Sequence, residues 1–368
     1  MTAPQGGPSV ALLNPFFWPE VRRGSERLVH DLAVDLLALG CDPHLITSHP
    51  GRPRRSVEDG FAVTRNWRPP EPWRLRRIER HLSHVPFSYA SLVRGDFHVA
   101  HSFYPTDALA GVRWARRSGG PAVFSYMGHP SRRVLSSYRL RKSILEQVIG
   151  GSDAVIALSQ SAREAIWRWL GVESIVIQPG VDLSDFVPGD GKSEHPTIAC
   201  AGAVDDARKR IPLLLRAFAL VRRNRSGARL LLTRPGDPEV ARRLTEGNPG
   251  VELVPQGRHV GSVFRESWAS GLTSYNEAFG LVLVESLACG TPVFGPREGG
   301  PAEIVDRPEI GSLFAGDDER DIARAILEAL ELAEDPATAA ACRARAEDFD
   351  TLSSARKTRD LYAQLLAG

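Results

Sequence analysis

The chain has 368 residues, about twice the length of an ordinary domain, which predicts two domains of roughly 180 residues each. With 42% hydrophobic and 24% charged residues, it has the composition of a folded globular protein. Its 46 basic residues nearly balance 44 acidic ones and leave a net charge of +2, so no global charge draws it to nucleic acid or an anionic membrane.

The start, Met1 to Pro8, is polar and glycine-rich and lacks the basic-then-apolar order of a secretory signal. No apolar run approaches the ~20 residues of a spanning helix, and a cytoplasmic protein is expected. Cys41, Cys200, Cys289 and Cys342 lie far apart without a CxxC pair, which supports neither a disulfide framework nor a zinc site.

Residues 8–13 (PSVALL) form a short apolar run. A loop follows, then a helical pattern through Leu28, Leu32, Asp35, Leu36 and Leu39 that ends at Gly40. Further candidate strands lie at 43–47, 97–101, 121–125, 154–158 and 174–178, with helical patterns between most of them. Such alternation implies a parallel sheet covered on both faces. Residues 73–85 place Leu75, Ile78, Leu82 and Val85 on one stripe of a basic helix that Pro86 would end; it is read as a surface helix, with peripheral contact to a membrane as the alternative.

The aperiodic stretch 188–196, rich in proline, glycine and charge, reads as an interdomain linker between domains at 1–187 and 197–352. A second alternating series supplies candidate strands at 197–201, 228–233, 251–254, 270–273, 292–294 and 312–314, and a helix at 353–366 closes the chain. Two Rossmann-like α/β domains facing across a cleft are the natural reading, with ligands at the carboxyl ends of the strands.

The strongest local signal is residues 273–305, TSYNEAFGLVLVESLACGTPVFGPREGGPAEIV. Glu277 precedes a helical pattern (Leu281, Val284, Leu287, Ala288), and Glu285 is expected about two turns into it. A helix start at Phe279-Gly280-Leu281 offers free backbone N–H groups and the positive end of the helix dipole, a suitable seat for a diphosphate. The flanking carboxylates would accept hydrogen bonds from hydroxyl groups, Glu277 from a sugar and Glu285 from a ribose. Arg208 and Lys209 precede another helical pattern and can reach a phosphate from its rim.

This segment resembles the EX7E signature of the family-four retaining glycosyltransferases, proteins of the GT-B fold. The likeness extends through Gly290-Thr291-Pro292-Val293 and Gly299-Gly300 with Glu303. Weaker likenesses follow in the family's order: Gly24-Ser25-Glu26, Ala154 to Ser159, and Pro179-Gly180-Val181-Asp182 with Phe186 and Pro188. The resemblance implies Glu277, Lys209, Arg208 and His129 as catalytic residues. It implies a donor-binding set of Gly24, Gly202, Arg258, Ala278, Phe279, Gly280, Leu281 and Glu285. It also implies that the C-terminal helix (353–368) crosses back to the N-terminal domain, that no metal or other cofactor is needed, and that the sugar is transferred with retention by front-face substitution.

Two departures stand out. Ala203 replaces the family arginine after Gly202, with Arg208 as the candidate substitute, and Arg23-Gly24 replaces a glycine pair. His101 also ends a strand and competes with His129, but it is read as structural. Asp348-Phe349-Asp350 spells a DXD string, yet lies beyond the donor motifs.

The expected partners are a UDP- or GDP-linked sugar and a small-molecule, saccharide or lipid-linked acceptor, with loops 14–24, 49–60 and 102–107 as acceptor surfaces and no nucleic acid. The sequence leaves the base, the sugar, the acceptor and the oligomeric state open. A sugar-nucleotide epimerase or hydrolase, or a silent binding protein, are the rivals. A dinucleotide-dependent dehydrogenase is opposed by Asn14-Pro15-Phe16-Phe17 where GxGxxG would stand.

Overall fold

A computed structural model describes residues 7–21, 24–70, 77–189, 191–234, 237–254 and 259–368. The chain folds as two compact units, residues 1–180 with 351–368, and residues 181–350.

In the first unit eight strands run in the order β3-β4-β2-β1-β5-β6-β7-β8. They are β1 (Ser9–Leu13), β2 (Asp42–His49), β3 (Arg54–Glu58), β4 (Phe61–Trp67), β5 (Val99–Ser102), β6 (Ala122–Tyr126), β7 (Ala154–Ala157) and β8 (Ile175–Val176). All pairings are parallel except β3 with β4. The central strands are apolar on both faces because helices cover both: Val10, Ala11, Leu12 and Leu13 are all fully buried. The β3–β4 hairpin occupies part of the stretch read as the loop 49–60. It turns on Asp59-Gly60, both with positive φ (46° and 87°), the chemistry of a tight two-residue turn.

Tyr362, on the closing helix Thr351–Ala367, is fully buried in the same core cluster as Val10, Leu12 and Phe61. His101 anchors that helix: its Nδ1 lies 2.5 Å from Tyr362 Oη and its Nε2 2.7 Å from Ser125 Oγ. Burial lowers the His101 pKa to about 3, so the ring is a neutral structural link.

The second unit holds six parallel strands in the order β11-β10-β9-β12-β13-β14. They are β9 (Thr197–Ala203), β10 (Arg229–Arg234), β11 (Val251–Leu253), β12 (Ala269–Gly271), β13 (Val293–Pro296) and β14 (Gly311–Phe314). Helices Ile211–Asn224 and Glu319–Leu332 pack Leu214, Phe218, Ile322 and Ile326 into its core. The strand order reverses between β9 and β12, where doubly wound sheets bind ligands.

The chain passes from one unit to the other at Gly180/Val181, and Lys192, in the stretch expected as a linker, bonds within the second unit. Val181 N–H donates to Phe349 O at 2.8 Å, Phe186 is buried against Phe264, and Lys192 Nζ donates to Thr291 Oγ1 at 2.6 Å. Pro86 sits in the first turn of the helix Val85–Arg94 instead of ending one, since its missing N–H costs nothing there. Residues 71–76 of the basic stretch lie outside the described residues. Among the described residues no helix is long and apolar enough to cross a membrane.

Candidate functional site

In the second unit the motif residues gather at the carboxyl ends of β9 and β12. After β9 the chain makes a single turn, Ala207–Lys209, capped by Asp206, whose carboxylate accepts from Arg208 N–H at 2.9 Å. The segment after β12 is tied to this turn: Thr273 Oγ1 donates to Lys209 O (2.7 Å), Tyr275 N–H donates to Arg208 O (3.2 Å), and the Arg210 guanidinium donates to Thr273 O. These bonds bring Lys209 Nζ to 3.3 Å from Glu277 Oε2, with both side chains about one-fifth exposed. Gly202 runs beneath this lysine, and a Cβ there would lie 3.2 Å from Lys209 Cδ and Cε.

Ala278, Phe279 and Gly280 are buried and lead into the helix Leu281–Ala288. Gly280 caps it at φ 111°, a conformation that favours glycine. The helix matches its pattern, and the buried Glu285, its fifth residue, stands just over one turn in, not two. The Gly299-Gly300 pair closes on this segment: Gly300 N–H donates to Glu277 O at 3.1 Å, and a Cβ on Gly300 would stand 2.3 Å from Phe279 Cα. Only glycine permits that approach, so the pair fixes the backbone that carries Glu277.

Arg208 is turned onto its own cap, with Nη2 2.7 Å from Asp206 Oδ2, and is well exposed. His129 and Gly24 belong to the first unit. His129 Nε2 lies 3.2 Å from Ser161 Oγ, and Gly24 is the exposed first residue of the helix Gly24–Ala38. Arg258 lies outside the described residues, as does Arg23. The DXD string is structural in its first two members: Asp348 pairs with Arg345 at 2.8 Å, and Phe349 is buried under the Arg345 guanidinium. Among the described residues no group of three or more His, Cys, Asp or Glu could hold a metal ion. All four cysteines are buried free thiols, and burial pushes Cys289 and Cys342 up to about 12.

The first unit holds a cavity of about 680 Å³ at the carboxyl ends of β1, β2 and β4, to which Pro15 and Phe16 of the loop 14–24 and Pro50 of the loop 49–60 contribute. Phe16, Trp67, Arg68, Arg80, His81, His84 and Tyr138 are among its lining. Arg68 lies over the Phe16 ring (4.9 Å) and bonds Glu20 through Nη2 (2.7 Å), while its Nη1 is buried with no partner among the described residues. Arg80 is exposed and lies over Tyr138 (5.5 Å). The Tyr138 ring also carries Arg141 (4.3 Å), whose guanidinium forks onto the fully buried Glu79. Burial lowers the His81 pKa to about 4. The signal that could have located this pocket is the run of arginines in 73–85, which ends at its wall.

Comparison with known proteins completes the picture. The family described as Glycosyltransferase Family 4 matches residues 22–185, and that described as Glycosyl transferases group 1 matches residues 195–332. The D-inositol 3-phosphate glycosyltransferase 2 of Catenulispora acidiphila is 30% identical over 311 residues, 73% of this chain and 71% of that protein. The D-inositol 3-phosphate glycosyltransferase of Stackebrandtia nassauensis is 30% identical over 63% of this chain and 60% of its own length. The phosphatidyl-myo-inositol mannosyltransferase of Propionibacterium freudenreichii is 27% identical over 65% and 63%. The chain therefore spans less than two thirds of the latter two. Among solved structures, sucrose-phosphate synthase from Thermosynechococcus elongatus superposes with a TM-score of 0.82 at 22% identity, covering 98% of this chain and 99% of that one. Anabaena HepE in complex with UDP-glucose gives 0.75 at 16% identity, covering 98% and 99%.

Proposed function

Given that this chain belongs to glycosyltransferase family 4 and has the GT-B fold, we propose that it moves a sugar from a UDP- or GDP-linked donor to an acceptor hydroxyl with retention at the anomeric carbon. One observation carries the donor assignment: Lys209 and Glu277 meet at 3.3 Å beside the glycine-capped start of the helix Leu281–Ala288. A cation and free N–H groups suit a diphosphate, and a carboxylate suits the hydroxyls of the sugar.

In this mechanism the acceptor oxygen attacks the anomeric carbon from the face that the diphosphate leaves. The bond to the diphosphate breaks, and the acceptor proton passes to a diphosphate oxygen. Lys209 and the helix N–H groups stabilise the departing charge, Glu277 orients the sugar, and Glu285 holds the ribose. The route asks for no metal or cofactor. The acceptor enters the pocket of the first unit, where Arg68 and Arg80 suit an anionic compound; a phosphorylated polyol fits, and relatives are named for an inositol phosphate.

The test is nucleotide release from a panel of UDP- and GDP-sugars. Lys209→Ala and Glu277→Ala should each lower turnover about 10²-fold. Arg208→Ala, exposed and paired with Asp206, should lower it less than about tenfold, the scale of a partly screened charge. Undiminished turnover in both of the first two variants would sink the donor assignment.

A further inference from the structure

Behind the wall of the acceptor pocket three side chains form a buried polar set. His84 ends the turn Leu82–His84, Ser88 lies one turn on in the helix Val85–Arg94, and Asp107 is in the first turn of the helix Pro105–Ser118. His84 Nδ1 is 2.9 Å from Asp107 Oδ1, and Ser88 Oγ donates to the same oxygen at 2.8 Å. His84 is 1% exposed and the other two are fully buried. Asp107 Oδ2 is buried with no partner among the described residues, so Oδ1, which takes both bonds, is the atom that fixes how the ring sits.

That arrangement has a direction. A carboxylate only accepts, so in the neutral ring Nδ1 carries the proton and Nε2 a lone pair. Ser88 Oγ stands 3.1 Å from Nδ1 and 3.4 Å from Nε2, and with its single proton given to Asp107 it donates to neither. His101, by contrast, has both ring nitrogens engaged, by Tyr362 and Ser125, and serves only to hold a helix. His84 also lines the pocket of about 680 Å³.

We propose that His84 Nε2 accepts a hydrogen bond from a hydroxyl of the acceptor, with Asp107 and Ser88 as positioning residues that fix its tautomer. The inference rests on the reading of this pocket as the acceptor site. It goes further in making one acceptor hydroxyl a donor to an oriented imidazole, beside the cationic wall of Arg68 and Arg80. Asp107, in the stretch 102–107 expected at the acceptor surface, then acts one shell behind it.

The experiment uses the full chain, D-inositol 3-phosphate as the probe, and a sugar nucleotide that the protein hydrolyses. In protein labelled with ¹⁵N-histidine, with His84 assigned through His84→Gln, Nε2 should resonate as an unprotonated nitrogen and move on titration with the probe. Asp107→Asn offers an amide donor to Nδ1 and should place the proton on Nε2. It should raise the acceptor KM at least tenfold and leave donor hydrolysis within twofold. Ser88→Ala should act in the same direction more weakly, and serves if Asp107→Asn does not fold. A protonated Nε2 in the parent, a resonance that the probe leaves in place, or an unchanged acceptor KM with hydrolysis intact overturns the role of His84. Absence of donor hydrolysis in the parent overturns the transferase reading, and this inference with it.

Discussion

The two units share a parallel α/β plan but assemble their polar groups in opposite ways. The second unit draws its site from two stretches, 202–210 and 273–300, tied by short backbone bonds and by glycines that tolerate no side chain. The pocket of the first unit is assembled from separate loops that follow β1, β2 and β4, with the segment 80–84 and Tyr138. A site whose backbone is pinned by bonds and glycines is held in one shape, whereas one made of many loops can be changed one loop at a time. The contrast suits the proposed division into a donor half and an acceptor half.

Gly300→Ala is the sharpest way to break this contrast, because the added Cβ collides with backbone at Phe279. Overpacking of this kind costs about 1–3 kcal/mol. The displaced Glu277 should lower donor turnover on the order of 10²-fold, the scale of a misplaced catalytic geometry. Turnover within threefold of the parent would show that the motif tolerates movement.

A smaller effect is expected across the contrast, at the acceptor pocket. Arg80→Ala and Arg68→Ala should each raise the KM for a phosphorylated acceptor about tenfold, as loss of a charged hydrogen bond does, with donor hydrolysis unchanged. Equal losses in both assays would mean that the pocket is not a separate acceptor site.

The smallest effect concerns pH. His81 and His101 have folded pKa values of about 4 and about 3 because burial disfavours the charged ring, whereas in the unfolded chain a histidine titrates at its ordinary 6.5. A folded pKa below the unfolded one means that the unfolded state takes up the proton first. Their stabilising contribution is therefore complete above about 6.5 and is lost as pH falls toward 4 and 3. Between pH 6.5 and 5.5 each should cost about 1 kcal/mol, visible as a falling melting temperature that His101→Gln makes less steep. A parent melting curve flat through this range would contradict it.

How much of this was legible depended on how local each feature was. The donor motif could be read because its glycines, carboxylates and apolar positions lie within one stretch whose periodicity is its own evidence. Glu285 was placed a turn too deep although the helix opens at Leu281 as expected, because the four steps from Leu281 to Glu285 make just over one turn of about 3.6 residues. The strand β3 escaped because Arg54, Arg55 and Glu58 give it the charge typical of a sheet edge, not the alternation of a half-buried strand. Asp59-Gly60 was the available cue. The pocket was legible only in part: the loops 14–24 and 49–60 supply Pro15, Phe16 and Pro50, but Arg68, Arg80 and Tyr138 are brought beside them by the sheet order, and no spacing among these residues announces it.

The link from His101 to Tyr362 also bears on how the protein is made. Residues 1–180 emerge from the ribosome first, yet their core lacks Ala355, Leu361 and Tyr362 until the last helix follows. The second unit, whose chain is continuous, can finish while the earlier-born unit still waits with an open slot beside His101, whose Nδ1 has yet to meet Tyr362. The unit begun first is completed last, and the nascent chain must keep that slot from other apolar partners for the whole of the intervening synthesis.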